Sequence, residues 1–187
     1  MNRFHRWYCR TERWRRTVRD DLMPWVLRNV DLGDDVLEVG PGPGLTTDVL
    51  RSRVARVTAL EIDPGLATAL RDRTTGTAVV VVEGDGTAMP FADASFSGAV
   101  SCTMLHHVPA PALQDQLLAE VRRVLRPGAW FVGSDSTPSL PFRLAHLFDT
   151  MVLVEPDGFG ARLEAAGFEE VAIRTAPHTF RFRARRR

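Results

Sequence analysis

Three acids and three glycines in the first half of this chain have the types and spacing to hold a ligand built on a nucleoside. Gly40, Gly42 and Gly44 alternate directly after the apolar residues Val36, Leu37 and Val39. Alternate glycines at a strand-to-helix turn let the backbone bend sharply and let a ligand approach without meeting a Cβ. The helix N-terminus that follows presents free N–H groups, which suit a carboxylate or a phosphate. Glu61 stands 21 residues after Gly40, closing the apolar run Val57-Thr58-Ala59-Leu60 and followed by Ile62. An acid there accepts hydrogen bonds from both hydroxyls of a ribose. Asp85, between Gly84 and Gly86, ends a third apolar run at 78–82. Glu38, two residues before the first glycine, would oppose a pyrophosphate but suit an ammonium group. An acid between apolar strand residues needs a partner or a ligand, so Glu38 either meets the ligand or orders the loop.

The loop reads Gly-x-Gly-x-Gly, not Gly-x-Gly-x-x-Gly. The third position of the dinucleotide fingerprint falls on Leu45 or Thr47, where a small residue is wanted beside a pyrophosphate. A nicotinamide cofactor is therefore disfavoured. The chain also has no Lys and a single Tyr, Tyr8, so it lacks the Tyr/Lys pair of a short-chain oxidoreductase.

Positioning these residues requires alternating strands and helices. Apolar runs predict strands near 35–39, 56–61, 78–83, 97–102 and 129–135, with two closing strands at 168–175 and 178–184. Helices are expected near 44–53, 64–73, 110–125, 140–153 and 157–166. Leu113, Leu117, Leu118, Val121, Val124 and Leu125 give 110–125 one apolar face. Asp20 or Asp21 is expected to cap a helix with Pro24 in its first turn. Alternating β and α implies a parallel sheet covered on both faces, with ligands beyond the carboxyl ends of the strands.

Five segments, in order, resemble the class I S-adenosylmethionine-dependent methyltransferases of the small-molecule type. They are residues 36–44, Leu60-Glu61-Ile62-Asp63-Pro64, residues 84–91 ending Met89-Pro90-Phe91, residues 95–108 ending Leu105-His106-His107-Val108, and Val124-Leu125-Arg126-Pro127-Gly128. The chain departs from the family pattern at Ser97, where an Asp is usual, and at Ala129, where a Gly is usual. The resemblance implies a doubly wound, Rossmann-like α/β fold with a seven-stranded sheet in the order 3-2-1-4-5-7-6 and strand seven antiparallel. It implies S-adenosyl-L-methionine as cofactor and S-adenosyl-L-homocysteine as product. Glu38, Gly40, Gly42, Gly44, Glu61, Ile62, Asp85, Gly86 and Ser101 would be the cofactor contacts. His106 and His107 are the candidates for any proton transfer, with His5 and His146 behind them. No metal is implied: adjacent histidines point in different directions on most backbones. Cys102 reads as a buried strand thiol rather than a nucleophile.

The expectation is a single domain over 1–187, with a helical cap or lid at 1–30, a core at 34–187 and a second cap segment at 138–156. Apolar Leu140, Phe142, Leu144, Leu147, Phe148, Met151 and Val152 in that segment favour a small hydrophobic or aromatic acceptor. The net charge of +1 gives the molecule as a whole no electrostatic case for nucleic acid. Residues 3–19 nevertheless carry seven arginines among Phe4, Trp7, Tyr8 and Trp14, a pattern open to packing, lid, peripheral-membrane or anionic-partner readings. No apolar run reaches the ~18–20 residues of a membrane span. Two cysteines give no disulfide framework, which fits a cytoplasmic setting. A non-catalytic S-adenosylmethionine-binding protein and a nucleic-acid methyltransferase remain the alternatives.

Overall fold

The computed structural model describes residues 11–137 and 151–187. His5, Trp7, Tyr8, Cys9, His146 and most of the expected 138–156 cap lie outside them. Seven strands form one sheet in the order β3-β2-β1-β4-β5-β7-β6, as the resemblance implies. They are β1 (Asp35–Val39), β2 (Arg56–Glu61), β3 (Val79–Glu83), β4 (Phe96–Cys102), β5 (Leu125–Ser136), β6 (Phe168–Ala176) and β7 (Thr179–Arg186). The first five pair in parallel, and β7 runs antiparallel to both β5 and β6. β1 is buried from Val36 to Val39, the mark of a central parallel strand covered on both faces. Strand order reverses between β1 and β4, so a crevice opens there at the carboxyl edge.

The helices start where their sequences dictate. α1 spans 12–26, α2 is Leu45–Leu50, α3 is Pro64–Arg73, α4 is Pro111–Val124 and α5 is Pro156–Ala165. Asp63 caps α3 by accepting the N–H groups of Gly65 and Leu66, with Pro64 pre-set at the first position. Leu117, Leu118, Val121 and Val124 turn one face of α4 into the core, where they meet Phe131, Phe159 and Phe182. The opposite face of the sheet carries a second core of Val36, Val57, Val100 and Val132, sealed by Val18, Met23 and Val26 of α1. The helix expected at 140–153 is not seen in its described part: 151–155 carry no regular structure before α5 begins.

The expected helix start at Asp20 or Asp21 is also absent. α1 begins earlier, where the Thr11 hydroxyl accepts the Trp14 N–H at 3.3 Å, and runs on through both aspartates. Pro24 lies inside it. Proline has no N–H for the carbonyl four residues back, and its ring presses on that carbonyl. The helix widens instead of ending: Thr17–Leu22 is a π-turn in which the Met23 N–H donates to the Val18 carbonyl. The half of α1 that carries Met23 and Val26, both buried, packs into the core on this face of the sheet.

Glu38 fixes how β1 enters the glycine turn. It is 2% exposed and accepts hydrogen bonds from both threonine hydroxyls of α2, from Thr46 and, at 2.6 Å, from Thr47. Burial pushes its carboxyl up to about 7, against the opposing pull of those two hydroxyls and with help from the Asp48 and Glu61 charges. A carboxyl raised in the folded state holds its proton more tightly there than in the unfolded chain, so folding stability falls as pH rises from ~4.5 to ~7. Glu38→Gln keeps the shape without the charge. Urea unfolding of both proteins at pH 5 and pH 8 should show the variant gaining on the parent by about 1–3 kcal/mol toward pH 8. An unchanged difference between the two pH values would mean that the buried carboxyl carries no such charge penalty.

Candidate cofactor and acceptor pocket

A cleft of about 470 Å3 opens beyond the carboxyl ends of β1, β2 and β4. Its floor is the turn from Val39 to Pro43. One side is Leu60 to Asp63 with Gly84 to Thr87, and the other is Cys102 to Met104 with His107 to Pro109. Trp14, Val18 and Leu22, one helical turn apart on α1, close the remaining wall.

The turn owes its shape to left-handed glycines. Gly40 and Gly42 sit at φ 70° and 54°. A Cβ on Gly40 would overlap the Met104 side chain, whereas a Cβ on Gly42 would meet nothing within 4 Å. The open space beside Gly42 is room for a ligand against bare backbone. Gly44, at φ 82°, is not part of the wall; a Cβ there would overlap Arg73 and Leu70, so it lets α2 pack on α3.

Glu61 is 5% exposed yet forms part of the wall. Its Oε2 accepts the Gly42 N–H at 2.9 Å and its Oε1 accepts the Asp63 N–H at 3.0 Å. A carboxylate has about four acceptor positions, so these two bonds leave capacity for two hydroxyl donors. Ile62 beside it is 66% exposed, a large apolar side chain offered to solvent at the rim. Asp85 directs Oδ1 to the Thr87 N–H and hydroxyl, both at 2.8 Å, which folds the Gly84–Gly86 turn. A Cβ on Gly86 would press on Leu117 and Val39, so Gly86 brings that turn close to the core.

Besides Gly44, three expected site residues are not brought to the cleft. Glu38 points into α2, as described above. Ser101 is fully buried, because alternation along β4 turns it away; the chain reaches the cleft one residue later, at Cys102. His106 is 1% exposed and bound to Asp135 twice: Nδ1 lies 2.5 Å from Oδ1, and the backbone N–H donates to Oδ2 at 3.1 Å. That pairing anchors the 3-10 turn Leu105–His107 to β5. His107, whose ring lies 4.2 Å from that of His106 between centroids, does line the cleft. Cys102 lines it too, but burial pushes its thiol up to about 12, which disfavours the thiolate that a nucleophile needs.

Sequence reasoning missed Asp135, Thr103 and Met104, whereas a wall from the N-terminal helix was among its expectations. Asp135 carried a usable signal, an acid ending the apolar strand β5 just as Glu38 lies in β1. Thr103 has φ 51°, an uncommon state for a β-branched residue, which no spacing rule reveals. Among the described residues no three His, Cys, Asp or Glu side chains converge as a metal site, and no helix is long and apolar enough to cross a membrane.

Known proteins share this architecture. An S-adenosylmethionine-dependent methyltransferase from Aquifex aeolicus superposes with a TM-score of 0.78 over 100% of both chains at 18% identity. At that identity the likeness speaks for the fold. A probable ribosomal RNA small subunit methyltransferase A from Natronomonas pharaonis is 32% identical over 169 residues, 84% of this chain and 60% of that protein. A fatty-acid O-methyltransferase from Mycolicibacterium smegmatis is 34% identical over 108 residues, 57% of this chain and 38% of that protein. The chain thus spans about half the length of the curated relatives it matches. A sequence family described as "Methyltransferase domain" matches residues 37–133, which run from β1 through the glycine turn, Glu61, Asp85 and His107 into β5. The chain belongs to this methyltransferase-domain family, with the class I fold.

Proposed function

We propose that the chain is a methyltransferase that binds S-adenosyl-L-methionine against the Gly40–Gly42 turn and passes its methyl group by direct displacement to a small apolar or aromatic acceptor. The observation that carries this reading is the arrangement of the cleft. Backbone made accessible by Gly42, a wall carboxylate at Glu61 and the exposed Ile62 stand on one side, and the apolar Trp14, Val18, Leu22 and Met104 on the other.

The donor set fits this cofactor. Glu61 has acceptor capacity for two ribose hydroxyls, Ile62 offers apolar area to the face of a purine, and Asp85 lies where an acid can accept from an exocyclic amine. A volume of about 470 Å3 falls within the usual range for cofactor sites. The cofactor's sulfonium supplies a methyl group already activated for attack, so the protein's share is positioning and water exclusion. Trp14, Val18 and Leu22 perform the second task from α1, while Thr103 and Met104 fix the acceptor side beside Gly40. A base is needed only where the acceptor must lose a proton, and His107 is the imidazole in the wall for that. His106, locked to Asp135, sets the turn that presents it.

Small-molecule chemistry is favoured over a polynucleotide acceptor because the free wall is apolar. Calorimetry should show S-adenosyl-L-homocysteine binding and no detectable NAD binding; tighter NAD binding would overturn the cofactor. Glu61→Ala should weaken S-adenosyl-L-homocysteine by about 1.5–3 kcal/mol, or roughly 10- to 150-fold, with Asp85→Ala losing less. Binding by Glu61→Ala within about twofold of the parent would remove the ribose assignment. For the acceptor, label from radioactive S-adenosyl-L-methionine is expected in apolar hydroxyl or amine compounds. Label in RNA alone would refute the small-molecule reading, and bound cofactor with no turnover on any acceptor would refute catalysis. With a hydroxyl or amine acceptor, His107→Gln should lower turnover about 100-fold or more while cofactor affinity stays within about twofold. Unchanged turnover would show that no base is used.

A further inference from the structure

The outer part of the sheet carries a concentration of positive charge that the methyl-transfer reading does not use. Along β7 the side chains alternate. Phe180, Phe182 and Ala184 are buried in the core, so Arg181, Arg183 and Arg185 share the other face. On β6, Arg174 stands directly opposite Arg181. Arg28, just past the end of α1, completes the group around a hollow of about 170 Å3 lined by Val26, Arg28, Asn29, Arg174, Arg181 and Arg183 among others.

Many arginines elsewhere in the described chain meet a carboxylate, as Arg73 meets Asp48 and Arg162 meets Asp115. Arg185 meets Glu170 at 2.7 Å and Arg187 meets Glu169 at 3.2 Å. Among the described residues, Arg28, Arg174, Arg181 and Arg183 have no carboxylate within ion-pair distance. Like charges directly opposite on neighbouring strands are destabilising, and here two of them face one another across β6 and β7. Burial first, and then the Arg28, Arg183 and Arg174 charges, hold the Arg181 guanidinium below the ordinary arginine value. Two of the guanidinium groups are also held in place: Arg181 lies 5.5 Å above the Trp25 ring and Arg183 5.5 Å above the Trp130 ring. Arg181 further donates to the Trp25 carbonyl. A concave, pre-ordered set of forked donors without an internal carboxylate matches clustered phosphate oxygens, which guanidinium groups bind in bidentate fashion.

We propose that Arg28, Arg174, Arg181 and Arg183 form a binding site for a compact multiply charged phosphate, a diphosphate or two closely spaced phosphate groups on a small molecule. The site is separate from the cofactor cleft and does not rest on the methyl-transfer reading. The hollow suits a compact anion better than a polynucleotide strand, because the four unpaired charges converge on one concavity while Arg185, next along the same face of β7, is already neutralised by Glu170.

The test is sodium pyrophosphate titrated into the full chain in low-salt chloride buffer, followed by calorimetry and by the unfolding temperature. Binding with a rise in unfolding temperature is expected, at matched ionic strength. The double variant Arg28→Ser, Arg174→Ser changes two exposed side chains and should lose at least about tenfold in pyrophosphate affinity. In chloride alone it should unfold at a temperature no lower than the parent, because repulsion has been removed. A lower unfolding temperature in chloride would show that the arginines are structural. Absence of binding at about 10 mM pyrophosphate, a Kd above which no useful affinity remains, would overturn the site. Undiminished binding by the variant would place the anion elsewhere and overturn it too. Adenosine diphosphate supplies the same phosphate groups on an organic carrier. Equal affinity for the two supports recognition of phosphate alone, and tighter adenosine diphosphate binding that the variant loses supports an organic diphosphate. A mixed-sequence RNA that binds more than about 100-fold tighter than pyrophosphate, with a steep salt dependence that the variant loses, would assign the face to a polynucleotide backbone and refute the compact-phosphate proposal.

Discussion

Two buried carboxylates hold the glycine turn from opposite sides, and the cleft depends on them. Glu38 reaches forward from β1 to the hydroxyls of Thr46 and Thr47, which sets where α2 begins. Glu61 reaches across from β2 to the Gly42 N–H, which sets how far the turn projects. Neither group can be buried without hydrogen-bond donors, and a backbone at positive φ presents N–H groups in directions that ordinary strands do not. The glycines supply geometry and the acids select one conformation from what the glycines allow. The wall to which a ligand must conform is thereby built before any ligand arrives, which is the condition under which binding spends little on ordering the protein.

The same crevice collects the strained and tightly packed residues of β4. Thr103 at φ 51° turns the chain out of the strand, its N–H donating to the Ser134 carbonyl at 2.8 Å. Met104 then packs where Gly40 lacks a Cβ. A conformation that a threonine avoids persists only when its surroundings over-determine it. Here the β5 ladder and the His106–Asp135 pair do so from one side, and the glycine turn from the other.

Much of this was legible in the residues, for definable reasons. β1, β2 and β3 read as strands because their apolar runs are short and end in glycine or in acid, and the seven strands fall within a few residues of their expected bounds. The sheet order came only through resemblance to a family, since pairing depends on contacts far apart in sequence. Ser97 illustrates how a departure from the family pattern is absorbed. Its hydroxyl serves the Leu32 and Asp35 carbonyls and accepts the Asp35 N–H, joining β4 to the entry of β1. Side-chain direction was harder. The resemblance makes Ser101 a cofactor contact, but a single step along a strand reverses its face. Glu38 and His106 were chemically conspicuous, yet each answers a buried partner, Thr46/Thr47 or Asp135, that no local spacing discloses. The net charge of +1 is uninformative, because it sums 24 basic and 23 acidic residues without regard to where the fold gathers them.

The π-turn in α1 has a consequence best put in terms of coding length. In a regular helix each residue adds about 100° of rotation, and a π-turn is the structural record of one additional residue. Trp14, before the turn, faces the cleft through that extra step, while Met23 and Val26 beyond it face the sheet. Removing a single codon between Thr17 and Leu22 would let the helix return to regular winding. Trp14 would then swing about a quarter-turn or more away from the cleft, although every side chain that lines it outside the turn would still be encoded. This wall is thus a property of residue count as much as of residue type.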